Sequence, residues 1–453
     1  MGAEYNGTVN YAEALEFLGS FNDMERGIQK SANPVMNLET MRSLLARLND
    51  PHRGRRTIHI TGSKGKGTTA AMVDSILRQS GATTALFTSP HLHSYNERVQ
   101  IDGVPVTNEE FCAGLEAIRG AVEAEGERGS SGLSTFGILA ALFFWLVRAQ
   151  ARPVDWQVVE VGLGGSFDVT NALDPPEVAV ITPISLEHTA ILGSTHAEIA
   201  ADKSGIVKEK TICVLARQEH PEVVDVVRAR CEEVGARLVD AGERYETEVL
   251  EKYDYGQSFR VDGTGGTREL RTPMLGLAPP QNAATAIAVA EVLIELGVPL
   301  TPASVADGIA RCRVRGRLEV MSRNPIVVAD GAHNGASAAV LAASLKEYFD
   351  WKRCFFVLGV TADKDARAIG FKLASLAELI VCTRFKNPRA LDPYQLVQEV
   401  GFLGAPAVAE ESVGDAIDTA LGHAGAGDLV CITGSLYLVA EAREYVLGEG
   451  VGS

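Results

Sequence analysis

The chain has 453 residues, a formal charge of −16, 46% hydrophobic residues and 22% charged residues, a length that favours about two or three domains over one core. The acidic balance excludes a sequence-independent nucleic-acid binder, which needs a basic surface, although a local field can still hold phosphate. Seven cysteines without a CxxC pair point to buried thiols in a reducing compartment, not to a disulfide framework or a zinc site.

The N-terminal "MGAEYNGTVN" has no apolar signal core and places Asn6 where myristoylation requires Ser or Thr. The longest apolar run, 136–147, is too short to span a bilayer and reads as a buried helix. A cytoplasmic protein with neither membrane nor nucleic-acid partners is expected.

Near-continuous apolar strands are predicted at "TIHIT" (57–61), "TALFTS" (84–89), "WQVVEV" (156–161), "VAVIT" (178–182) and "TICVLA" (211–216). Such runs suit strands buried on both faces of a parallel sheet. Helical segments alternate with them, at 68–79 and 136–149, which is the grammar of a doubly wound α/β fold. From 245 to 272 the chain alternates and turns like an antiparallel excursion, and a helix is predicted over 282–296. A second α/β series follows at "IVVAD" (326–330), "CFFVLGV" (354–360), "LIVCT" (379–383) and "LVCITGS" (429–435), with a domain boundary near residue 313.

"TGSKGKGTT" (61–69) connects the first strand to a helix. Gly67 separates Lys66 from the hydroxyls of Thr68 and Thr69, which breaks the common P-loop spacing. Strand, glycine loop and helix together still make an anion cradle from backbone N–H groups and the helix dipole, with Lys66 reaching phosphate oxygens and Thr68 or Thr69 offering a hydroxyl to Mg²⁺.

"FTSPHLHSYNERVQIDG" (87–103) puts Ser89 just past a strand end, where open α/β sheets collect ligands, and His91, Glu97 and Arg98 are candidate substrate contacts. In "VVEVGLGGSFDVTN" (158–171), Glu160 stands in an apolar strand, which is costly unless it is paired or faces a cation such as Mg²⁺. Its glycines carry only a weak dinucleotide signal, because no helix follows.

His188 follows the next strand and reads alone as a polar histidine as readily as a ligand; Lys203, alone, reads as a solvated lysine. In the second half, Arg317 lies in the connecting segment. Asp330 and His333 of "VVADGAHNGAS" end a strand, a position suited to a functional loop.

Together and in this order, "GKGTT", "TSPHL", "EVGLGG", "DKSGI", "GRLEV", "DGAHN", "DKD" and "TGSLY" resemble the Mur-ligase superfamily, most closely its folylpolyglutamate synthase and dihydrofolate synthase branch. The resemblance runs from Tyr11 to Val446 and includes "LETMRSLLARLNDP" as the helix ahead of the loop. That family's loop has the form TGxxGKGS/T, so Gly67 belongs there.

The resemblance implies an α/β fold with an N-terminal P-loop ATPase domain of mostly parallel sheet over 1–313 and a smaller C-terminal Rossmann-like domain over 314–453. It implies ATP on Gly62, Ser63, Lys64, Gly65, Lys66, Gly67, Thr68 and Thr69, with Asn282, Arg317, Asp330 and His333 also at the nucleotide. Magnesium would sit on Thr68, Ser89, Glu160 and His188, and on Lys203 if carbamylated. Catalytic roles would fall to Lys66, His188, Lys203, Asp330 and His333, and substrate contacts to His91 and Arg98.

Departures from the family pattern stand at Lys64, Ser166, Val314–Arg315, the "GLAPPQN" segment and Gly137, which lacks the carboxylate of "TFFE". The implied activity is ATP-dependent joining of L-glutamate to a folate through an acyl phosphate, by a monomer. Dihydropteroate as acceptor, or a nucleotide-binding relative without ligase activity, are the alternatives.

Overall fold

The strands β1 (Arg56–Thr61), β2 (Thr84–Phe87), β3 (Val99–Ile101), β4 (Val104–Pro105), β5 (Trp156–Glu160), β6 (Val178–Ile181), β7 (Ile212–Leu215) and β8 (Arg237–Asp240) form one sheet in the order β4-β3-β2-β5-β1-β6-β7-β8. The computed structural model describes residues 10–23, 38–127 and 133–448; the reading of the extreme N-terminus falls outside these residues. From β2 to β8 the pairing is parallel, and only the β2–β3 and β3–β4 pairs are antiparallel.

The central strand β1 is buried on both faces, one apolar and one carrying Thr57, His59 and Thr61. Ile58 and Ile60 pack with Met72, Ile76 and Val289 from the helices Lys66–Gln79 and Ala278–Glu295. His59, between them, is fully buried on the opposite face, its Nε2 2.8 Å from Thr170 Oγ1. The apolar run 136–147 is the buried helix Thr135–Ala149, packed below the same sheet with Phe87 and Val159.

The antiparallel excursion is a three-stranded sheet of β9 (Tyr245–Tyr253), β10 (Gly256–Gly263) and β11 (Gly266–Thr272), in the order β11-β10-β9. The third sheet comprises β12 (Glu319–Arg323), β13 (Ile326–Asp330), β14 (Cys354–Leu358), β15 (Ala377–Thr383), β16 (Ala407–Glu410) and β17 (Leu429–Thr433), ordered β12-β13-β17-β14-β15-β16. It is parallel except for β12. Its two faces bury Phe356 and Cys431 on one side and Phe355 and Ile432 on the other.

Several expectations need correction. The helix predicted at 68–79 starts at Lys66, and the one predicted at 282–296 is Ala278–Glu295. In the second case Pro279 and Pro280 occupy the first turn, where the missing N–H has no intrahelical partner to lose. The "GLAPPQN" segment is therefore a helix start, and Asn282 lies a turn inside it. The edge strands β12 and β16 were not predicted; both are only partly buried, so neither carries the apolar run that marked the others.

All seven cysteines are free and buried. Among the described residues no helix is long and apolar enough to cross a membrane.

Candidate active site

The loop after β1 is shaped by close approaches that only glycine permits. A Cβ on Gly62, whose φ is +147°, would lie 1.8 Å from Thr182 Oγ1. One on Gly65, whose φ is +81°, would lie 2.6 Å from Asn282 Oδ1. Gly67 would carry its Cβ 3.2 Å from Glu160 Oε2. The residue that breaks the usual spacing thus leaves room for the carboxylate at the end of β5.

Ser63 and Lys64 turn their backbone N–H groups onto Pro183 O, at 3.0 and 3.2 Å, and Ser63 Oγ donates to Ser185 O. The loop is thereby anchored, and the N–H groups at the start of the helix, from Lys66 on, are left to meet an anion. Lys66 Nζ donates to Gly62 O at 3.0 Å.

Behind the loop lies Lys203, at the end of the helix His196–Lys203. It is 1% exposed, so the reading of an isolated solvated lysine is overturned. Nζ donates to Gly62 O and to Glu187 Oε1, both at 2.9 Å. Burial lowers the Lys203 pKa, opposed by the Glu187 carboxylate. Burial raises the Glu187 carboxyl, but Lys66 and Lys203 outweigh it and leave its pKa below the ordinary value. The result is a short ionic chain, Lys66–Glu187–Lys203, beneath the phosphate cradle.

Glu160, 3% exposed, accepts from Ser89 N at 3.0 Å. Thr68, Ser89, Glu160 and His188 all line one cleft of about 1750 Å³. His188, at φ +47°, caps a short helix and is exposed at the cleft rim. This is a hard oxygen set with one imidazole, on a cleft that also holds a phosphate cradle, and it fits a magnesium ion.

Across the cleft, Asp330 ends β13 and accepts from Leu318 N and Ala332 N at 2.8 and 2.9 Å. Burial raises its pKa against the nearby Arg317. His333 Nδ1 donates to Gly331 O at 2.9 Å, which leaves Nε2 as an acceptor, and burial pushes its pKa down to about 4. Arg317, Asp330, His333 and Asn282 line the same cleft. Gly62, Thr69 and Lys203 lie behind its wall; Thr69 is fully buried with no partner for its hydroxyl among the described residues.

His333 has a pH consequence. Its folded pKa lies below the ordinary value of about 6.5, so the unfolded chain binds more protons between the two. Stability therefore rises with pH over that window and is lost on acidification, by at most about 1.4 kcal/mol per pH unit for one group. Urea unfolding of His333→Gln should show a flatter slope between pH 6.5 and 4. Some slope persists, because buried His59, pushed to about 3, acts in the same direction.

His91 and Arg98 meet on the cleft wall: Arg98 Nε donates to His91 Nδ1 at 2.8 Å, and the guanidinium lies over Tyr95. Glu97 has a different role from the one expected. Its carboxylate accepts from Leu92 N, His93 N and Ser94 N, at 2.8, 2.8 and 2.9 Å, so it organises the loop. Glu97→Ala should cost about 2–3 kcal/mol of stability by leaving these donors unmatched, and raise the acceptor KM more than it lowers kcat. Urea unfolding and steady-state kinetics check both.

The departure at Gly137 also finds a local explanation. It is the third residue of its helix and donates its N–H to the Ser134 cap at 3.1 Å. A glutamate there would complete a capping box; its absence removes a cap.

Sequence reasoning missed Glu187 and the pair Asp363–Lys364. Asp363 and Lys364 line the cleft opposite the loop. Burial raises the Asp363 carboxyl, but its bond with Thr361 and the cations Lys364 and Arg389 bring it to about 2. The motif "DKD" was the signal for these two; Glu187 had none beyond its neighbour His188.

A glycine cradle at a parallel-strand end, faced by a second α/β unit bearing basic and histidine side chains, defines a Mur-type ligase. Residues 316–436 match the family model "Mur ligase, glutamate ligase domain". The dihydrofolate synthase/folylpolyglutamate synthase of Bacillus subtilis is 32% identical over 416 residues, covering 90% of this chain and 94% of its own. A probable bifunctional folylpolyglutamate synthase/dihydropteroate synthase of Haloferax volcanii is 35% identical over 96% of this chain, which spans only 50% of that longer protein. The Mycobacterium tuberculosis folylpolyglutamate synthase complexed with ADP and AMPPCP superimposes with a TM-score of 0.86 at 32% identity, over 97% of this chain and 98% of its own. The chain belongs to the folylpolyglutamate synthase/dihydrofolate synthase family.

Proposed function

We propose that the protein uses ATP to join L-glutamate to a folate, with dihydropteroate as a second acceptor, in the cytoplasm. The observation that carries this reading is the cradle: free helix-start N–H groups, Lys66, and Asn282 packed against Gly65, all facing the Asp330–His333 loop across one cleft. The names of the relatives support the acceptors, and the uniformly free thiols support the compartment.

A carboxylate does not condense with an amine at neutral pH, because oxide would have to leave. Transfer of the terminal phosphoryl group to the folate carboxylate breaks the bond to ADP and makes an acyl phosphate. The glutamate amine then attacks the acyl carbon, and phosphate leaves from the tetrahedral intermediate as the amide forms. Lys66 and the N–H groups of its helix start hold the charge that spreads over the transferring oxygens. Arg317 and Lys364 bring positive charge from the opposite wall, and neutral His333 offers Nε2 as an acceptor. Magnesium held by Thr68, Ser89, Glu160 and His188 would supply further neutralisation of phosphate charge.

The lobes 1–313 and 314–453 would close over the cleft and exclude water from the intermediate. A bridge between them is built from His93, whose Nδ1 reaches Glu444 at 3.2 Å while Nε2 accepts from Arg443 at 2.9 Å. Carbamylation of Lys203 draws support from the burial that lowers its pKa; its two present acceptors would have to yield.

The test is ADP release by purified enzyme, supplied with bicarbonate, across folates, dihydropteroate and amino acids. Release should require an acceptor and glutamate together. ATP binding with no acceptor-dependent turnover would leave a nucleotide-binding relative instead.

A further inference from the structure

Away from the cleft, three side chains meet at the starts of two helices. His196 opens the helix His196–Lys203, His220 caps the helix Pro221–Val234, and Glu222 lies in the latter's first turn. His196 Nδ1 is 3.6 Å and His220 Nδ1 4.0 Å from Glu222 Oε1. The imidazoles stack with centroids 3.6 Å apart and planes 21° apart. One ligand atom from each residue lies within 4.8 Å of the other two.

We propose that His196, His220 and Glu222 form a binding site for a divalent transition metal of the Zn²⁺ class. Two imidazole nitrogens and one carboxylate oxygen are a common zinc donor set, with metal–ligand distances of about 2.1 Å. Ligands at that distance and at tetrahedral angles lie about 3.4 Å from one another, so the carboxylate-to-imidazole separations of 3.6 and 4.0 Å are already close to that spacing, while the rings must turn to aim their lone pairs.

The backbone on both sides is fixed. Thr195 and Glu198 close a capping box before the first helix, and Pro221 sets the first turn of the second. Coordination uses lone pairs in the ring planes, so the stacked rings must fan apart. Both histidines are half-buried at the surface, which leaves their side chains that rotation.

The donors also choose among metals. Imidazole ligands favour zinc, nickel or copper over magnesium. This sets the site apart from the oxygen-rich cleft. A bound ion would tie the two helices together, and the first of them ends on Lys203.

The test uses untagged, chelator-stripped protein with zinc and cobalt chlorides as probes. Equilibrium dialysis should show one more zinc ion on the wild type than on His196→Ala/His220→Ala. Zinc should raise the thermal midpoint of the wild type alone, and bound cobalt should give the visible absorption of a tetrahedral site. Glu222→Ala leaves both helix starts intact and should weaken zinc binding by about tenfold or more. Equal zinc stoichiometry in wild type and double variant, or unchanged affinity in Glu222→Ala, would overturn the proposal.

Discussion

Lys66→Ala should lower kcat about a hundred- to a thousandfold, the effect of removing one preorganised charge from a developing oxyanion, while costing only about 1 kcal/mol of stability. In the ground state Lys66 Nζ makes one hydrogen bond among the described residues, to Gly62 O at 3.0 Å, and one such bond contributes about that much. At rest the charge also helps to hold Glu187 ionised, but its largest effect comes when the terminal phosphoryl group is in flight. Single-turnover kinetics beside urea unfolding separate the two quantities. A variant that kept wild-type turnover would remove Lys66 from the chemistry; one that failed to fold would make it a structural residue.

The second large effect is expected at Lys203. Lys203→Met removes a cation that is 1% exposed and leaves Glu187 facing the cradle without its nearer partner. Breaking a buried pair from one side costs about 3–5 kcal/mol. Adding Glu187→Gln should restore much of that stability, since no unpaired carboxylate is left behind the loop.

Activity should not return with it. Lys203 and Glu187 set the field beneath Gly62 and Lys66, and a neutral pair cannot replace it. Thermal unfolding and ADP release on both variants give the answer. Recovery of turnover in the double variant would mean that the ionic chain serves folding alone.

The residues differ in how far their roles can be seen in the sequence. The strands around the cradle were legible because β1, β5 and β6 are short stretches rich in Val, Ile and Thr, which suit strands buried on both faces. Gly67 was legible only as a family feature; its physical reason, the approach of Glu160, is a contact across 93 residues of chain that no local pattern encodes.

Lys203 misled for the same reason, because burial of a long cation depends on a carboxylate brought from another loop. Glu187 went unseen beside the more conspicuous His188. Helix Ala278–Glu295 begins four residues before the predicted 282, because Pro279 and Pro280 fit its first turn. Glu97, read as a substrate contact, is consumed by three backbone donors that are invisible until the loop folds.

The most direct measurement of the central claim is the fate of carboxylate oxygen. With the acceptor's reacting carboxyl labelled with ¹⁸O, phosphorylation of that carboxylate followed by amine attack must carry one labelled oxygen into the inorganic phosphate released with each amide bond. Phosphate carrying that label is the expected result. Unlabelled phosphate alongside amide product would contradict an acyl phosphate, and with it the role assigned to the cradle around Lys66.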